Sequence, residues 1–238
     1  MIGGVSRYDF HMHTRRSVDS LLSPRAIIRR ARQRGLRGIA VTDHDTIRGG
    51  LDVAAIAPPD LLVIVGAEIA TEVGDIVGLF LTREIVAREP LAVLDEIEAQ
   101  GGIAFLPHPH RGHQGIRTDV LSRVTAFEAL NGRAGWFEPT GTSRDGVSWA
   151  PLAAKGRLGC SDAHLGWEVG RAFTELECEP TTEGIRAALL AGRTKPGGVA
   201  APAATFYASQ LIKLAKTGDV GMLWRFAKKR LHLTRRRG

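Results

Sequence analysis

The sequence predicts an α/β protein with a largely parallel sheet, either closed into a barrel or open. Two observations predict this class. Apolar, β-rich runs alternate along the chain with segments whose apolar residues have helical spacing, and residues that start or stop helices separate the two kinds of segment. The chain has 238 residues, 44% of them hydrophobic, which is enough for one sizeable core.

The first half of the chain supplies the clearest elements. Ser23 is a good N-cap, Pro24 suits the first helical position and Gly35 stops the helix "SPRAIIRRARQRG". The strand-like runs are "VSRYDF", "LRGIAVT", "LLVIVGAEIAT" and "GDIVGLFL", the last two joined as a hairpin. The other helical runs are "DTIRGGLDVAAIA" and "EPLAVLDEIEAQG".

The second half continues the alternation and then changes character. Strands are predicted at "GIAFLP", "VTAFEAL", "LGCS" and "RAFTELE", and helices at "VSWAPLAAKG" and "TTEGIRAALLAG". "KPGGVAAPAA" is typical of a linker, and two short amphipathic helices are predicted after it. We therefore predict a main domain at residues 1–196 and a linker with a basic amphipathic extension at residues 197–238.

The positive charge of the chain is concentrated in its C-terminal segment. The formal net charge is +7, but from Ala203 onward nine Lys/Arg and one acidic residue give +8, which leaves −1 for the rest. The basic segment, with its interleaved aromatic and aliphatic residues, either packs across the main domain or contacts an anionic membrane or nucleic acid. No DNA-binding motif and no obligate protein partner is indicated.

The compartment is predicted from apolar runs and cysteines. The apolar runs are too short and too interrupted to cross a bilayer, and the first ten residues lack the long apolar core of a secretory signal. A disulfide framework normally has more than two cysteines, so Cys160 and Cys178 indicate a reduced, cytoplasmic protein, although one bridge between them stays open.

Histidine or acid residues recur where five predicted strands end. These residues are His11 and His13, Asp43 and His44, Glu68, His108 and His110, and Asp162 and His164. Because the C-terminal ends of parallel strands share one face of an α/β fold, residues far apart in the sequence are expected to converge there. Neutral imidazole and carboxylate are ligands for Zn, Fe and Mn, so the pattern predicts a metal site.

Each motif alone has an ordinary structural explanation. "TDHD" and "SDAH" are also typical of helix N-caps with a surface histidine, "HPH" of a turn, and an isolated H-x-H pair arises by chance. The recurrence at five strand ends favours a common site over five separate coincidences.

Five segments resemble the PHP family, the polymerase and histidinol phosphatase domains. They are "DFHMHT", "AVTDHDT", "GAEI", "LPHPHR" and "GCSDAH", in this order, and the likeness covers about Val5 to Pro196. The resemblance implies a distorted seven-stranded β/α barrel, TIM-like, here with a short C-terminal helical extension. It also implies two or three divalent metal ions (Mn, Fe or Zn) at the C-terminal strand ends and phosphoesterase activity.

The resemblance also implies three ligand groups. They are His11, His13, Glu68 and Asp162; then Glu68 as a bridge with His108; then His44 and His164 with Asp19 beside them. Two departures from the family occur. "HTRRSVDS" has one extra residue before Asp19, and Asp75 stands where many members have a histidine. Asp75 is either a carboxylate ligand, which favours Mn or Fe over Zn, or a polar hairpin residue.

For the chemistry, we expect metal-activated water to attack phosphorus directly, since no Ser or Cys nucleophile is evident. His164 or His110 is a candidate proton donor to the leaving oxygen if it is not a metal ligand, and Asp43 is a candidate to orient the group that donates this proton. Arg111, Arg133 and Arg171 are candidates to bind the substrate phosphate, and ordinary surface arginines otherwise. Glu128 and Asn131 match family patterns and are given orienting roles only.

Three functions remain open from the sequence. The leading one is hydrolysis of a small phosphorylated metabolite, such as a nucleotide or sugar phosphate. The second is a nuclease that acts on nucleic acid ends and uses the basic tail to hold the backbone. The third is a metal-binding barrel without catalysis, which serves as an interaction module.

Overall fold

The computed structural model describes residues 4–202 and 204–218. The strands in this part are β1 (Val5–Asp9), β2 (Leu36–Val41), β3 (Leu62–Thr71), β4 (Gly74–Leu79), β5 (Ile103–Leu106), β6 (Ala126–Asn131), β7 (Gly135–Trp136), β8 (Gly156–Cys160), β9 (Ala172–Glu177) and β10 (Lys195–Gly198). The helices are α1 (Pro24–Gln33), α2 (Arg48–Ala54), α3 (Pro90–Glu98), α4 (Thr118–Arg123), α5 (Thr182–Leu190) and α6 (Ala204–Thr217), with a 3-10 turn at Ala150–Leu152.

All ten strands join one mixed sheet, and the predicted α/β class is confirmed. The strand order is β10-β9-β1-β2-β3-β4-β5-β6-β7, and β8 pairs with β6. The prediction of a largely parallel sheet is wrong. Strands β1, β2 and β3 run parallel, as do β5, β6 and β8, but β4 is antiparallel to both of its neighbours and β9 is antiparallel to β1 and β10. The β3–β4 turn is too short to carry a helical crossover, so the strand must reverse.

The sheet curls until the ends of β1 and β8 meet. The backbone N–H of Asp162 donates to the carbonyl oxygen of His11 at 2.9 Å, and the N–H of His13 donates to that of Ala163 at 2.9 Å. These bonds form a parallel bridge just beyond the two strands. The sheet of the described residues has ten strands, which is three more than the seven predicted for the barrel.

The core lies inside this curl and between the sheet and its helices. Alternate side chains of several strands point inward, among them the fully buried Tyr8, Val77, Phe105 and Leu158. Outside the sheet, α1 and α2 cover β2 with a second apolar layer that includes Ile27 and Val53. Apolar side chains fill this interior, and the buried polar residues lie at the carboxyl ends of the strands.

The helix predicted at "VSWAPLAAKG" is reduced to the 3-10 turn Ala150–Leu152. Backbone hydrogen bonds hold the preceding residues in a non-helical loop. Ser143 N–H donates to Val147 O at 2.7 Å, and Trp149 N–H donates to Gly141 O at 3.1 Å. The ring of Trp149 also packs against Phe137 in the core. Because β8 begins at Gly156, no length remains for a helix.

The predicted linker is partly a strand. Its first four residues form β10, which pairs with β9, and Lys195 forms an ion pair with Glu175 at 3.2 Å. Strand β10 ends at Gly198, two residues past the predicted domain boundary, which stays a prediction. Helix α6 corresponds to the first predicted tail helix, and the second lies outside the described residues.

Two further predictions concern the cysteines and the membrane. Cys160 and Cys178 are both buried and unbonded. Among the helices of residues 4–202 and 204–218, none is long and apolar enough to cross a bilayer.

Candidate metal centre

The polar residues that end the strands meet at one edge of the curled sheet. His11 and His13 follow β1, His44 follows β2, Glu68 lies in β3 and His108 follows β5, while Asp162 and His164 follow β8. These five strands point the same way, so their carboxyl ends share one face.

Glu68 is at the centre of this group. Its Oε2 lies 3.4 Å from Nε2 of both His11 and His13 and 3.1 Å from Nδ1 of His44. Its Oε1 lies 3.1 Å from Nε2 of His108. One buried carboxylate therefore contacts four imidazoles, which is the arrangement a bridging ligand needs.

Two more carboxylates complete the group. Asp162 Oδ1 lies 3.4 Å from Nε2 of His13, and Asp19 Oδ2 lies 3.3 Å from Nε2 of His164 and 3.6 Å from Nε2 of His44. Asp19 Oδ1 is buried without a hydrogen-bond partner among the described residues. In three sets the ligand atoms lie within 4.8 Å of one another: His13, His44 and His164; His11, His13 and Asp162; Glu68, Asp75 and His108.

Glu128 orients the ring of His11 and holds the backbone at His108. Its Oε1 accepts a hydrogen bond from Nδ1 of His11 at 2.8 Å, and its Oε2 accepts from the backbone N–H of His108 at 2.7 Å. Nδ1 of His108 donates to the carbonyl oxygen of Arg111 at 2.9 Å. Because these oxygens only accept, each Nδ1 carries a proton, and Nε2 is the ring atom that faces the centre.

Ser17 and Asp43 orient the third ring. Asp43 Oδ1 accepts from Ser17 Oγ at 2.6 Å, so this Oγ accepts in turn from Nδ1 of His13 at 3.2 Å. Asp43 also accepts from the N–H and Oγ1 of Thr14 at 2.8 and 2.7 Å. A Cβ at Gly49 would lie 1.8 Å from Asp43 Oδ2, so only glycine lets α2 approach this network. Asp43 thus orients the ring of His13 through Ser17, and its predicted role in proton donation stays a prediction.

His164 has two neighbours at Nδ1. The carbonyl oxygen of Asp162 and Nη1 of Arg133 both lie 2.9 Å away. The carbonyl requires a protonated Nδ1, whereas the guanidinium requires a bare one, so the ring satisfies one neighbour at a time. When Nε2 is a ligand, Nδ1 is protonated and Arg133 loses this acceptor.

Backbone strain is located at the same centre. In residues 4–202 and 204–218, four non-glycine residues have positive φ, and two of them are His108 (30°) and Asp162 (52°). Such conformations cost about 1–3 kcal/mol and persist only where surrounding contacts enforce them. Here the contacts are the bond from His108 N–H to Glu128 and the bond from Asp162 N–H to His11.

The electrostatics of the centre suit cations. Burial opposes protonation of His11, but the carboxylates Glu68, Glu128 and Asp162 outweigh it and raise its pKa well above the usual value. The same balance, with Glu68 as the main partner, raises the pKa of His108 to about 9. Without another cation, the carboxylates hold protons on the imidazoles, and these are the protons that a divalent ion displaces.

Burial and neighbouring charges also shift the pKa values of His13 and Asp75. Burial and the adjacent histidines His164 and His44 lower the pKa of His13 to about 3, so this ring is neutral. Burial raises the pKa of Asp75 to about 6, with the charge of Glu68 adding to the effect. The donor chemistry, the Nε2 atoms that face the centre and the unpaired Asp19 oxygen together fit divalent cations.

The centre opens into a cavity of about 200 Å³. Its lining residues are Asp19, His44, Glu68, Asp75, His108, Arg111, Gly112, Arg133, Asp162, His164, Phe206 and Gln210. All predicted metal ligands therefore lie in or directly behind this cavity, together with two of the three predicted arginines. Their roles as ligands stay a prediction.

His110 and Arg171 do not join the cavity. The exposed ring of His110 stacks on Phe137, and its Nε2 donates to Ala134 O at 2.9 Å. Arg171 donates to Ala200 O at 3.3 Å. His110 is turned away because the chain bends at His108, so the two rings do not share a strand face.

The structure adds residues that the sequence gave no reason to select. Ser17 orients His13, Glu168 lies 3.4 Å from Nε of Arg133, and Phe206 and Gln210 of α6 line the cavity. The sequence around a loop serine or an aromatic residue on an amphipathic helix does not mark it as functional. Its role depends on contacts with residues from other elements of the fold, which the sequence does not reveal.

The Ser17 contact gives a testable prediction. Ser17→Ala leaves Nδ1 of His13 without its acceptor, so the ring loses its fixed orientation. We expect a roughly 10- to 100-fold loss of metal affinity, as is usual when a group that orients a ligand is removed. Titration with Mn²⁺ measures it. Ser122→Ala on exposed α4, whose hydroxyl bonds only Thr118 O among the described residues, serves as the control and should bind like wild type.

Comparison with known proteins agrees with this geometry. The PHP domain model matches residues 9–101, and the PHP-associated model matches residues 148–194. The chain is 37% identical to the uncharacterized protein MJ1587 of Methanocaldococcus jannaschii over 114 residues, which is 43% of this chain and 67% of that protein. It is 42% identical over 69 residues to a 5'-3' exoribonuclease of Haemophilus influenzae, 28% of this chain and 24% of that enzyme.

A solved structure shows the same fold. A two-domain protein of Bacteroides vulgatus, which contains a predicted PHP-like metal-dependent phosphoesterase, superposes with a TM-score of 0.67 at 22% identity, over 82% of this chain and 65% of that one. The chain therefore spans about two thirds of MJ1587 and of the Bacteroides protein, and about a quarter of the exoribonuclease. On these matches and the site geometry together, the chain belongs to the PHP family.

Proposed function

We propose that this protein is a metal-dependent phosphoesterase that hydrolyses a small phosphorylated metabolite, of the nucleotide or sugar phosphate type. The observation that supports it is the convergence of four imidazoles on Glu68, with a fifth, that of His164, packed against His13. Structural histidines in a protein core do not gather around one carboxylate, whereas ligands of clustered cations must do so.

We assign the ligands in three groups. The first two share Glu68, and His13 of the first group lies beside the third. The groups are His11, His13, Glu68 and Asp162; Glu68, Asp75 and His108; and His44, His164 and Asp19, with His13 adjacent. Divalent Mn, Fe or Zn bound there supplies a water of lowered pKa and neutralises charge on the phosphate oxygens. The carboxylates among the ligands favour Mn or Fe.

Arg111 and Arg133 bind the substrate phosphate in this proposal. Both line the cavity beside the ligand groups, and a guanidinium matches phosphate oxygens with two parallel donors. Protonation of Nδ1 in a ligating His164 frees Nη1 of Arg133 from the ring, so a donor becomes available at the cavity wall.

The proton donor to the leaving oxygen differs from the sequence-based candidates. His110 lies outside the cavity, Nε2 of His164 faces Asp19 as a ligand would, and Asp43 has its oxygens occupied by Thr14 and Ser17. Neither histidine is free to donate a proton, and Asp43 is linked through Ser17 to His13 and to neither of them, so we assign this step to solvent at the mouth of the cavity.

A direct test is hydrolysis of a chromogenic phosphate monoester and diester by the purified protein with added Mn²⁺. Activity that EDTA abolishes and Mn²⁺ restores supports the proposal. The absence of hydrolysis of every ester, in protein shown to bind metal, indicates the non-catalytic module.

A nuclease is the second candidate, and the exoribonuclease similarity favours it. The test is single-stranded RNA and DNA oligonucleotides with 5' or 3' phosphate ends, assayed beside a nucleotide and a sugar phosphate. Oligonucleotide cleavage at rates above those for the small esters would replace the leading proposal. Contact of the basic tail with nucleic acid belongs to this candidate, and its contact with an anionic membrane stays a separate prediction. Residues 219–238 of the tail lie outside the described part.

Arg111 is expected to act mainly on substrate binding. Arg111→Met keeps an aliphatic side chain against Phe206 but removes the guanidinium, and a charged hydrogen bond contributes about 1.5–3 kcal/mol. We expect kcat/KM to fall roughly 10- to 100-fold, chiefly through KM. Arg171→Met, an arginine outside the cavity, should leave the kinetics unchanged, and an equal loss in both variants would contradict the role of Arg111.

We also assign the seven-stranded barrel to particular strands. Strands β1 to β6 and β8 form the curved path, and the hydrogen bonds between the ends of β8 and β1 support its closure. For the compartment we propose the cytoplasm, where both cysteines would remain reduced, in keeping with two unbonded thiols.

A further inference from the structure

Helix α6 lies at the mouth of the metal centre. Its Phe206 and Gln210 line the cavity, and the guanidinium of Arg111 lies 4.7 Å from the centroid of the Phe206 ring. Nη2 of Arg133 donates to Thr205 O at 3.1 Å and to Ser209 Oγ at 2.5 Å. The first half of α6 is therefore attached to the cavity wall itself.

The last turn of α6 reaches the opposite side of the mouth through Lys216. Its Nζ donates to three carbonyl oxygens of the loop between β1 and α1: Arg15 at 3.0 Å, Ser17 at 2.8 Å and Ser20 at 2.7 Å. An ammonium has three N–H donors, and here all three are used on one short loop. A surface lysine that serves only solubility has no such set of partners.

This loop carries Asp19. Residues 15–20 lie in the loop between β1 and α1, and Oδ2 of Asp19 in this loop faces His44 and His164. Ser17 Oγ donates to Asp43, and Ser20 Oγ donates its one hydrogen to the carbonyl oxygen of His13 (3.1 Å) or His164 (3.0 Å). Lys216 adds a donor on each side of Asp19, at the carbonyl oxygens of Ser17 and Ser20.

The three bonds are the contacts that a substitution of Lys216 would remove. Burial lowers the pKa of Lys216, and the charges of Asp19 and Asp43 oppose that shift. A neutral side chain of similar length would fill the space but would not donate to the carbonyl oxygens of Arg15, Ser17 and Ser20.

We propose that Lys216 is a positioning residue of the metal centre: it fixes the β1–α1 loop so that Asp19 faces His44 and His164. This rests on the proposed ligand groups and adds a residue from outside them. Helix α6 lies outside residues 9–101 and 148–194, the two regions that the family models match. In this proposal α6 supports the metal centre as well as lining its cavity.

The test compares Lys216→Met with Lys213→Met in the full-length chain. Lys213 lies three residues earlier on α6, and its ammonium has no hydrogen bond or ion pair among the described residues. Mn²⁺ titration by calorimetry is the primary readout, because it does not depend on turnover. We expect the Mn²⁺ affinity of the weakest site to fall about tenfold in Lys216→Met, while the affinities of the tighter sites stay unchanged. Lys213→Met should match wild type at every site.

Two further measurements separate positioning from a general loss of structure. Saturating Mn²⁺ should restore kcat of Lys216→Met on the phosphate ester, and Lys216→Arg, which retains several donors, should retain most of the affinity. Wild-type affinity at every site in Lys216→Met, or the same loss in Lys213→Met, would overturn the proposal. If wild type binds Mn²⁺ but hydrolyses nothing, the proposed function fails while the titration still decides the role of Lys216.

Discussion

Glu68→Gln is expected to abolish phosphoester hydrolysis and to remove at least one bound metal ion. The substitution keeps the size of the side chain but removes a buried charge that faces His11, His13, His44 and His108. A neutral amide does not bridge cations, so two of the proposed ligand groups would lose their shared carboxylate. Cations held there would supply several kcal/mol of transition-state stabilisation, and we expect the rate to fall at least about a thousandfold.

The same variant should destabilise the metal-free protein. Burial opposes ionisation of Glu68, but His11 and His44 outweigh it and hold its pKa well below the usual value, so the carboxylate is charged in the folded protein. Removing one partner of a buried ion pair costs about 3–5 kcal/mol because the other charge is left uncompensated. Urea unfolding in EDTA measures this loss.

The control for Glu68→Gln is Glu138→Gln. Glu138 pairs with Arg157 on the surface, where an ion pair contributes about 0–1 kcal/mol. Metal content, turnover and unfolding should therefore match wild type in this variant. If Glu68→Gln retains full activity and metal content, Glu68 is not a bridging ligand and the proposed centre is wrong.

The convergence that makes Glu68 central follows from the strand pattern. His11, Glu68 and Asp162 come from strands that are far apart in the sequence. His11 and Asp162 follow the carboxyl ends of β1 and β8, and Glu68 lies in the second half of β3, on the side of the sheet's carboxyl ends where α/β folds gather ligands. This rule depends only on topology, so apolar runs and turn residues were sufficient to place the site without any knowledge of contacts.

The sequence could not distinguish the two H-x-H pairs. His11 and His13 lie on a chain that stays extended past β1, where Met12 still pairs with Ala163, so both rings face the same side. At His108 the backbone adopts a positive φ of 30°, and His110 is directed to the surface. The difference is set by the bond from His108 N–H to Glu128, a residue 20 positions away.

The role of α6 was hidden for a similar reason. Its composition predicts an amphipathic helix correctly, but amphipathicity does not say which surface the helix covers. That is decided by Arg133 and Lys216, whose partners are backbone carbonyls and a serine, groups that every sequence offers in abundance.

Stability of the metal-free protein and metal affinity are expected to change in opposite directions between pH 6.5 and 9. Burial lowers the pKa of His108, but Glu68 and the other carboxylates outweigh it and raise it to about 9, against an ordinary value of 6.5. A histidine with a raised pKa contributes stability below its unfolded value, and this contribution is lost as pH rises through the folded value. His11 and His44 shift in the same direction.

Without metal, the free energy of unfolding should therefore fall as pH rises through this window, by roughly 3 kcal/mol for His108 alone. Metal affinity should rise over the same window, because each displaced proton contributes about a tenfold gain per pH unit below the pKa of its group. An ordinary histidine would stop contributing near pH 6.5, so a gain that continues above pH 8 is specific to imidazoles held protonated by buried carboxylates.

Urea unfolding in EDTA and Mn²⁺ titration, both at pH 6.5, 7.5 and 8.5, measure the two trends. His108→Gln should flatten each of them, whereas His110→Gln, the exposed neighbour that stacks on Phe137, should leave both slopes unchanged. Parallel slopes for stability and affinity, or equal effects of the two variants, would mean that Glu68 and its partners do not hold exchangeable protons. In that case the cations would have to enter a site that is already neutral, and the charge balance proposed for the centre would be incorrect.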